Sequence, residues 1–410
     1  MKKYFLLAAA ALVALTACTK VDVEFNETDS ANRIAFTVAD YSQQTKAGET
    51  SLATGDDAIY SFKTYATQFP EIGDAVLFMN NVDIKAWNNA ATPAVVTSGS
   101  DIYTWAPEAD YYWPKTGYIN FYSYAGTKSP STSSVVSSDK KTITFDYGTV
   151  TVGENDNILV ADAALHFNSN TETYKKDHVS KGVPTLFRHQ LAKVKFIVHL
   201  KTTQPASSTT TWKVRTIASE TINTVDYASA LTIVKNGSLK LQNADGLATD
   251  ATKNTTTQAW SAVVGSSANV DGWIAGTAET DKEVISLATQ TLTIATTKQE
   301  SEETDPAYLI AERTVMPQLT ENTKFVLYYE VSASHDNFAS DPFLKEIRSV
   351  GVDVAKSMKD LVADIPDWNK NTKITYTINI DPVSEKVTFD PAVEAWAEES
   401  ESGSFNVPLN

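Results

Sequence analysis

Short runs of alternating apolar and polar residues mark most of this chain from Arg33 onward, with the period of two that a half-buried strand requires. The clearest early case is "RIAFTVAD" (33–40), where Ile34, Phe36 and Val38 fall on one side and Ala35 and Thr37 on the other. Similar runs follow at "DAVLFMN" (74–80), "YINFYSYAG" (118–126), "KTITFDYG" (141–148), "AKVKFIVHL" (192–200), "TKFVLYYEVSA" (323–333), "KITYTINI" (373–380) and "EKVTFD" (385–390). Val, Ile, Thr, Tyr and Phe dominate these runs, and turn residues separate them. Within 192–200, Ala192, Val194, Phe196, Val198 and Leu200 share one face, and Lys193, Lys195 and His199 lie on the other. Helical periodicity is scarce, and "AKSMKDLVADI" (355–365) is the best candidate for one short helix. The pattern predicts an all-β protein built as sandwiches or barrels.

The first strand leads into "SQQTKAG" (42–48), which is polar, free of aromatics and carries one lysine, Lys46. A well-patterned core strand is thus joined to the rest of the chain by a segment that is easy to cut. The Ser/Thr-rich stretches 127–142 and 202–212 read as exposed loops or hairpin tips. At 410 residues, two domains are expected. The change is placed near residue 186, where a polar Gly-Pro segment gives way to the strong strand at 192–200. That division gives an N-terminal domain over 33–186 and a C-terminal one over 187–396.

Composition narrows the partners. Hydrophobic residues make up 42% of the chain and aromatics 10%, enough for a packed core. The formal net charge is -16, and a field of that sign repels nucleic acid and anionic membrane alike. At the start, "MKKYFLLAAAALVALTAC" has two lysines, an apolar run over 4–15, and small residues leading into Cys18, the only cysteine. The run is short for a bilayer span and ends at a cleavage-like site, so residues 1–17 read as a secretion signal. The tetrapeptide Leu15-Thr16-Ala17-Cys18 resembles the lipobox of bacterial lipoproteins, in which the cysteine is acylated. Each acyl methylene buried in a membrane contributes about 0.8 kcal/mol, so a multiply acylated Cys18 would hold the chain there through lipid alone. Residues 18–32 then form an acidic tether. With a single cysteine, no intramolecular disulfide forms.

Motifs of chemistry are few. His166, His178, His189, His199 and His335 show no HxxxH or HxH spacing, so metal is not expected, and they read as hydrogen-bonded or surface histidines. There is no GxSxG elbow and no GxxxxGK[ST] phosphate loop. Carboxylates are plentiful, and a pair in the right place would serve glycoside hydrolysis, but that placement is a matter of separation in space. "GENDN" (153–157) and "DGWIAGTAETD" (271–281) are rich in oxygen ligands without EF-hand spacing, and read as loop turns. Trp105, "DYYWP" (110–114) and the tyrosines of 118–124 form an aromatic group. Exposed, it would stack on sugar rings; buried, it would fill a core, which the strand-like alternation favours. No cofactor and no catalytic residue are expected.

Taken together, the lipobox at Cys18, "RIAFTVAD", "TKA" (45–47), "DYYWPKTGYINFYSYAG" (110–126), "DNILVAD" (156–162), "LFRHQLAKVKFIVHL" (186–200) and the late "YTINI…W" ending at Trp396 resemble the fimbrillin-like proteins that build type V pili on Bacteroidales-type bacteria. The resemblance implies two transthyretin-like β-sandwich domains and export as an outer-membrane lipoprotein precursor. It implies that a maturation protease cuts the loop after the first strand, here between Lys46 and Ala47. The groove so opened is then filled by the C-terminal strand of another subunit. Partners would be other pilus subunits joined head to tail and, for a tip subunit, a host or bacterial surface ligand.

The far end of the chain fits that scheme. After an acidic linker beginning at 397 comes "FNVPLN", where Phe405, Val407 and Leu409 alternate as Ile34, Phe36 and Val38 do. Residues 403–410 are either a donor strand or a frayed tail or last strand of their own domain. Pro408 lacks the N–H a ladder uses and must face an edge or gap. The leading expectation is therefore a structural subunit of a surface fimbria. The alternative is an outer-membrane surface lipoprotein that binds glycans, and a weaker one is a carbohydrate-active enzyme.

Overall fold

The computed structural model describes residues 33–40, 59–90, 92–98, 102–114, 116–131, 135–167, 182–200, 209–243, 255–257, 260–262, 269–270, 272–294, 308–320, 323–335, 342–354 and 367–395. Among the described residues the protein is all-β, as the alternation predicts, with a 3-10 turn at Glu279–Asp281. The helix expected at 355–365 lies outside the described residues.

The first eleven strands are β1 Phe36–Asp40, β2 Ser61–Phe69, β3 Val76–Trp87, β4 Thr104–Pro107, β5 Tyr118–Gly126, β6 Thr144–Thr151, β7 Ile158–Ala161, β8 Ala163–Phe167, β9 Val183–His189, β10 Ala192–Leu200 and β11 Thr210–Ile217. Seven of them form a ring, in the order β5, β2, β3, β4, β1, β9, β7, with β7 pairing back onto β5. Closure removes the free edges that an open sheet would have to protect. The interior is filled by Phe62, Ala66, Ile84, Trp105, Phe121, Phe187 and the side chains of the first strand.

Strand β5 is buried on both faces. Phe121 and Ala125 point into the ring core, while Tyr122 and Tyr124 belong to a second core outside it. That outer core is covered by β6 and by strand Asn236–Asn243, which pair antiparallel from Asn236↔Thr151 to Gln242↔Thr144. It therefore joins residues from both sides of 186: Tyr65, Phe145, Val160 and Leu165 meet Leu239, Leu241, Trp273 and Met316.

A third core lies between two further sheets. β10 is central in one of them, antiparallel to Tyr308–Val315 and parallel to Thr372–Asp381. Its burial alternates residue by residue, with Ala192, Val194, Phe196, Val198 and Leu200 inside, the face the sequence predicts. Phe196 stacks on Phe325 of the facing sheet at 5.1 Å and on Tyr376 at 4.9 Å. The facing sheet is organised around Lys324–His335, which pairs with β11 and with Leu344–Asp353.

Candidate functional site

The site is the slot that the first strand occupies. β1 runs parallel to β9 over five registered pairs, from Phe36↔Val183 to Asp40↔Phe187, and meets β4 at the antiparallel pair Phe36↔Trp105. It is thus an internal stave of the ring and not an edge. Ile34, Phe36 and Val38 are 0%, 3% and 1% exposed, whereas Thr37 faces solvent. Burying each such side chain stabilises the fold by roughly 1.5–3 kcal/mol, so the strand is held firmly by its three knobs. Phe36 contributes most, packing edge-on against Phe62 at 5.5 Å and Phe121 at 5.6 Å.

Backbone contacts fix the strand's height in the slot. The Ile34 N–H donates to the Tyr111 carbonyl at 2.7 Å, and the Val183 N–H donates to the Ala35 carbonyl at 2.7 Å. Gly182 makes the second contact feasible, because it holds φ +77° and a Cβ there would lie 2.9 Å from the Phe36 carbonyl carbon. At the strand's beginning, Arg33 Nη2 pairs with Asp110 Oδ1 at 2.6 Å and reaches the Pro107 carbonyl at 3.3 Å.

The wall on the β9 side is secured independently of β1. Arg188 grips Asp162 with two bonds, of 2.6 and 2.8 Å, tying β9 to the end of β7. Below it His189 is buried, with Nδ1 3.1 Å from Asn157 Oδ1. Burial, helped by the charges of Lys373 and Lys193, pushes its pKa down to about 3, so the ring is neutral and structural.

Of the residues singled out from the sequence, Ile34, Phe36 and Val38 come together in one core. Cys18, Lys46, Ala47, Phe405, Val407 and Leu409 lie outside the described residues. Most of the aromatic group is core: Trp105, Trp113, Tyr122 and Tyr124 are buried, and only Tyr112 among them is exposed. Oxygen-rich loop 153–157 is a turn. Its Asp156 carboxylate loses solvation through burial, but the Gly153 amide, Lys128 and Thr127 outweigh that and hold its pKa below the usual range. In 271–281, Asp281 is likewise occupied, accepting from the Ala278 N–H and from Asn236. Among the described residues, no group of three or more His, Cys, Asp or Glu could hold a metal ion, and no helix is long and apolar enough to cross a membrane. The sequence reading missed Gly182, Asp110 and the lining residues Phe62, Phe121 and Phe187. The only available signal was the Gly-Pro pattern of "KGVPTLF".

No family model and no curated protein matches the chain. Its structural neighbours are fimbrial and cell-adhesion proteins of Bacteroidales. A fimbrial protein from Bacteroides vulgatus aligns at 14% identity over 89% of this chain and 100% of its own, with a TM-score of 0.45. A cell-adhesion candidate from Parabacteroides distasonis aligns at 11% identity over 91% and 99%, with a TM-score of 0.42. The fimbrial anchor protein Mfa2 from Porphyromonas gingivalis aligns at 10% identity over 89% and 98%, with a TM-score of 0.26.

Proposed function

We propose that this protein is a structural, non-catalytic subunit of a cell-surface fimbria, exported as a lipoprotein precursor and polymerised by strand exchange. One observation carries the reading: β1 is an internal stave whose three knobs fill the ring core, yet it leads directly into the polar segment that carries Lys46. In this reading Cys18 anchors the precursor to the outer membrane by lipid. A protease cuts between Lys46 and Ala47, and the first strand departs. The slot then receives Phe405, Val407 and Leu409 from a neighbour, each taking the place of one lost knob. In this reading the ring and the sandwich around Phe196 are the two transthyretin-like units of the chain, and the strand Asn236–Asn243 that covers the ring comes from beyond residue 186.

Each subunit offers one slot and one tail, a heterologous contact that yields an open filament. Deleting residues 403–410 is expected to leave a folded, lipidated monomer and to abolish the ladder of bands in an unboiled gel of surface material. Polymers of the truncated chain would refute the exchange. The alternative of a glycan-binding lipoprotein loses its aromatic platform, because Trp105, Trp113, Tyr122 and Tyr124 are spent on the core.

A further inference from the structure

The slot carries a polar clasp that the strand's apolar knobs do not explain. It lies at the Arg33 end, opposite the Asp40 end from which the chain runs on to Lys46. We propose that the Arg33–Asp110 pair is the last contact to break when the first strand leaves, and that it sets how fast a cut subunit opens. The proposal rests on the strand-exchange reading and names a control on that same site.

A cut after Lys46 frees the Asp40 end, so the pairing of residues 36–40 with β9 frays from there. Among the described residues the other end stays held by the 2.6 Å ion pair, the bond from Arg33 to the Pro107 carbonyl, and the bond from Ile34 to the Tyr111 carbonyl. The Arg33 side chain is 28% exposed and sits on the 107–112 loop, which also supplies the isolated bridge Arg33↔Tyr112. "FNVPLN" contains no cation, so a replacing strand cannot form the ion pair. The clasp therefore favours the resident strand over the incoming one, and the incoming strand gains its foothold at the Asp40 end. An ion pair this accessible weakens as salt rises.

The full-length chain carrying Cys18→Ser would be cut with a lysine-specific protease. Two quantities are then followed: how long the N-terminal fragment ending at Lys46 stays with the body on gel filtration, and how fast polymers form. The fragment should be retained, and released faster as salt is raised from about 0.05 M to about 0.5 M. Asp110→Asn and Arg33→Gln should release it about three to five times faster and lose the salt response, while Arg33→Lys keeps most of it. Release from Asp110→Asn at the parent rate, with the parent salt response, would overturn the clasp. The two ideas fail separately. If release follows the clasp but no polymer forms, strand exchange fails. If parent and Asp110→Asn polymerise at equal rates, the clasp fails and exchange stands.

Discussion

At the scale of single residues, the slot's energetics rest on shape more than charge. Phe36 touches two aromatic rings inside the ring core, so Phe36→Ala should cost about 3–5 kcal/mol of unfolding free energy, read from denaturant titration. Thr37→Ala, one residue on and facing out, should stay within about 0.5 kcal/mol. His189 gives the fold a pH dependence. Its folded-state pKa lies below the ordinary 6.5, so the unfolded chain binds a proton first as pH falls. The stability His189 supplies is complete above pH 6.5 and is lost on the way down towards 3, at a slope approaching about 1.4 kcal/mol per pH unit. Melting temperature against pH should show this fall, and His189→Gln should flatten it. An unchanged slope in the variant would mean that other groups carry it.

At the scale of elements, β1 was legible because period-two alternation is a local property, and Ile34, Phe36 and Val38 carry it alone. Its neighbours were not legible. The pairing of Phe36 with Val183 joins segments far apart in the chain, and nothing in either segment states the register. β10 was the easier case, since its polar face carries lysines and its buried face carries none. The slot's dependence on Gly182 appears only once the φ of +77° and the nearby Phe36 backbone are seen together. Gly182→Ala should loosen the seat of β1 at a cost of about 1–3 kcal/mol, and digestion at Lys46 should quicken relative to the parent. Equal digestion rates would show that β1 tolerates the displacement.

At the scale of the molecule, the outer core is built from both halves of the chain. Leu239, Leu241, Trp273 and Met316 cover tyrosines and Phe145 from the first half, and Trp260 Nε1 donates to the Ala161 carbonyl at 2.8 Å. The change in local composition near 186 holds no information on a strand that returns to pair with β6. Residues 33–186 expressed alone should therefore expose that apolar face, bind hydrophobic dye and associate on gel filtration; a monodisperse, dye-free product would contradict the shared core. Trp273→Ala in the whole chain should cost about 3–5 kcal/mol.

In the proposed strand exchange, β1 is a temporary occupant of a slot meant for another strand. Mass spectrometry of the N-terminus of subunits in sheared surface filaments tests it most directly. Strand exchange predicts a mature chain beginning at Ala47, and acylated Cys18 as the only N-terminus in the filaments would contradict it.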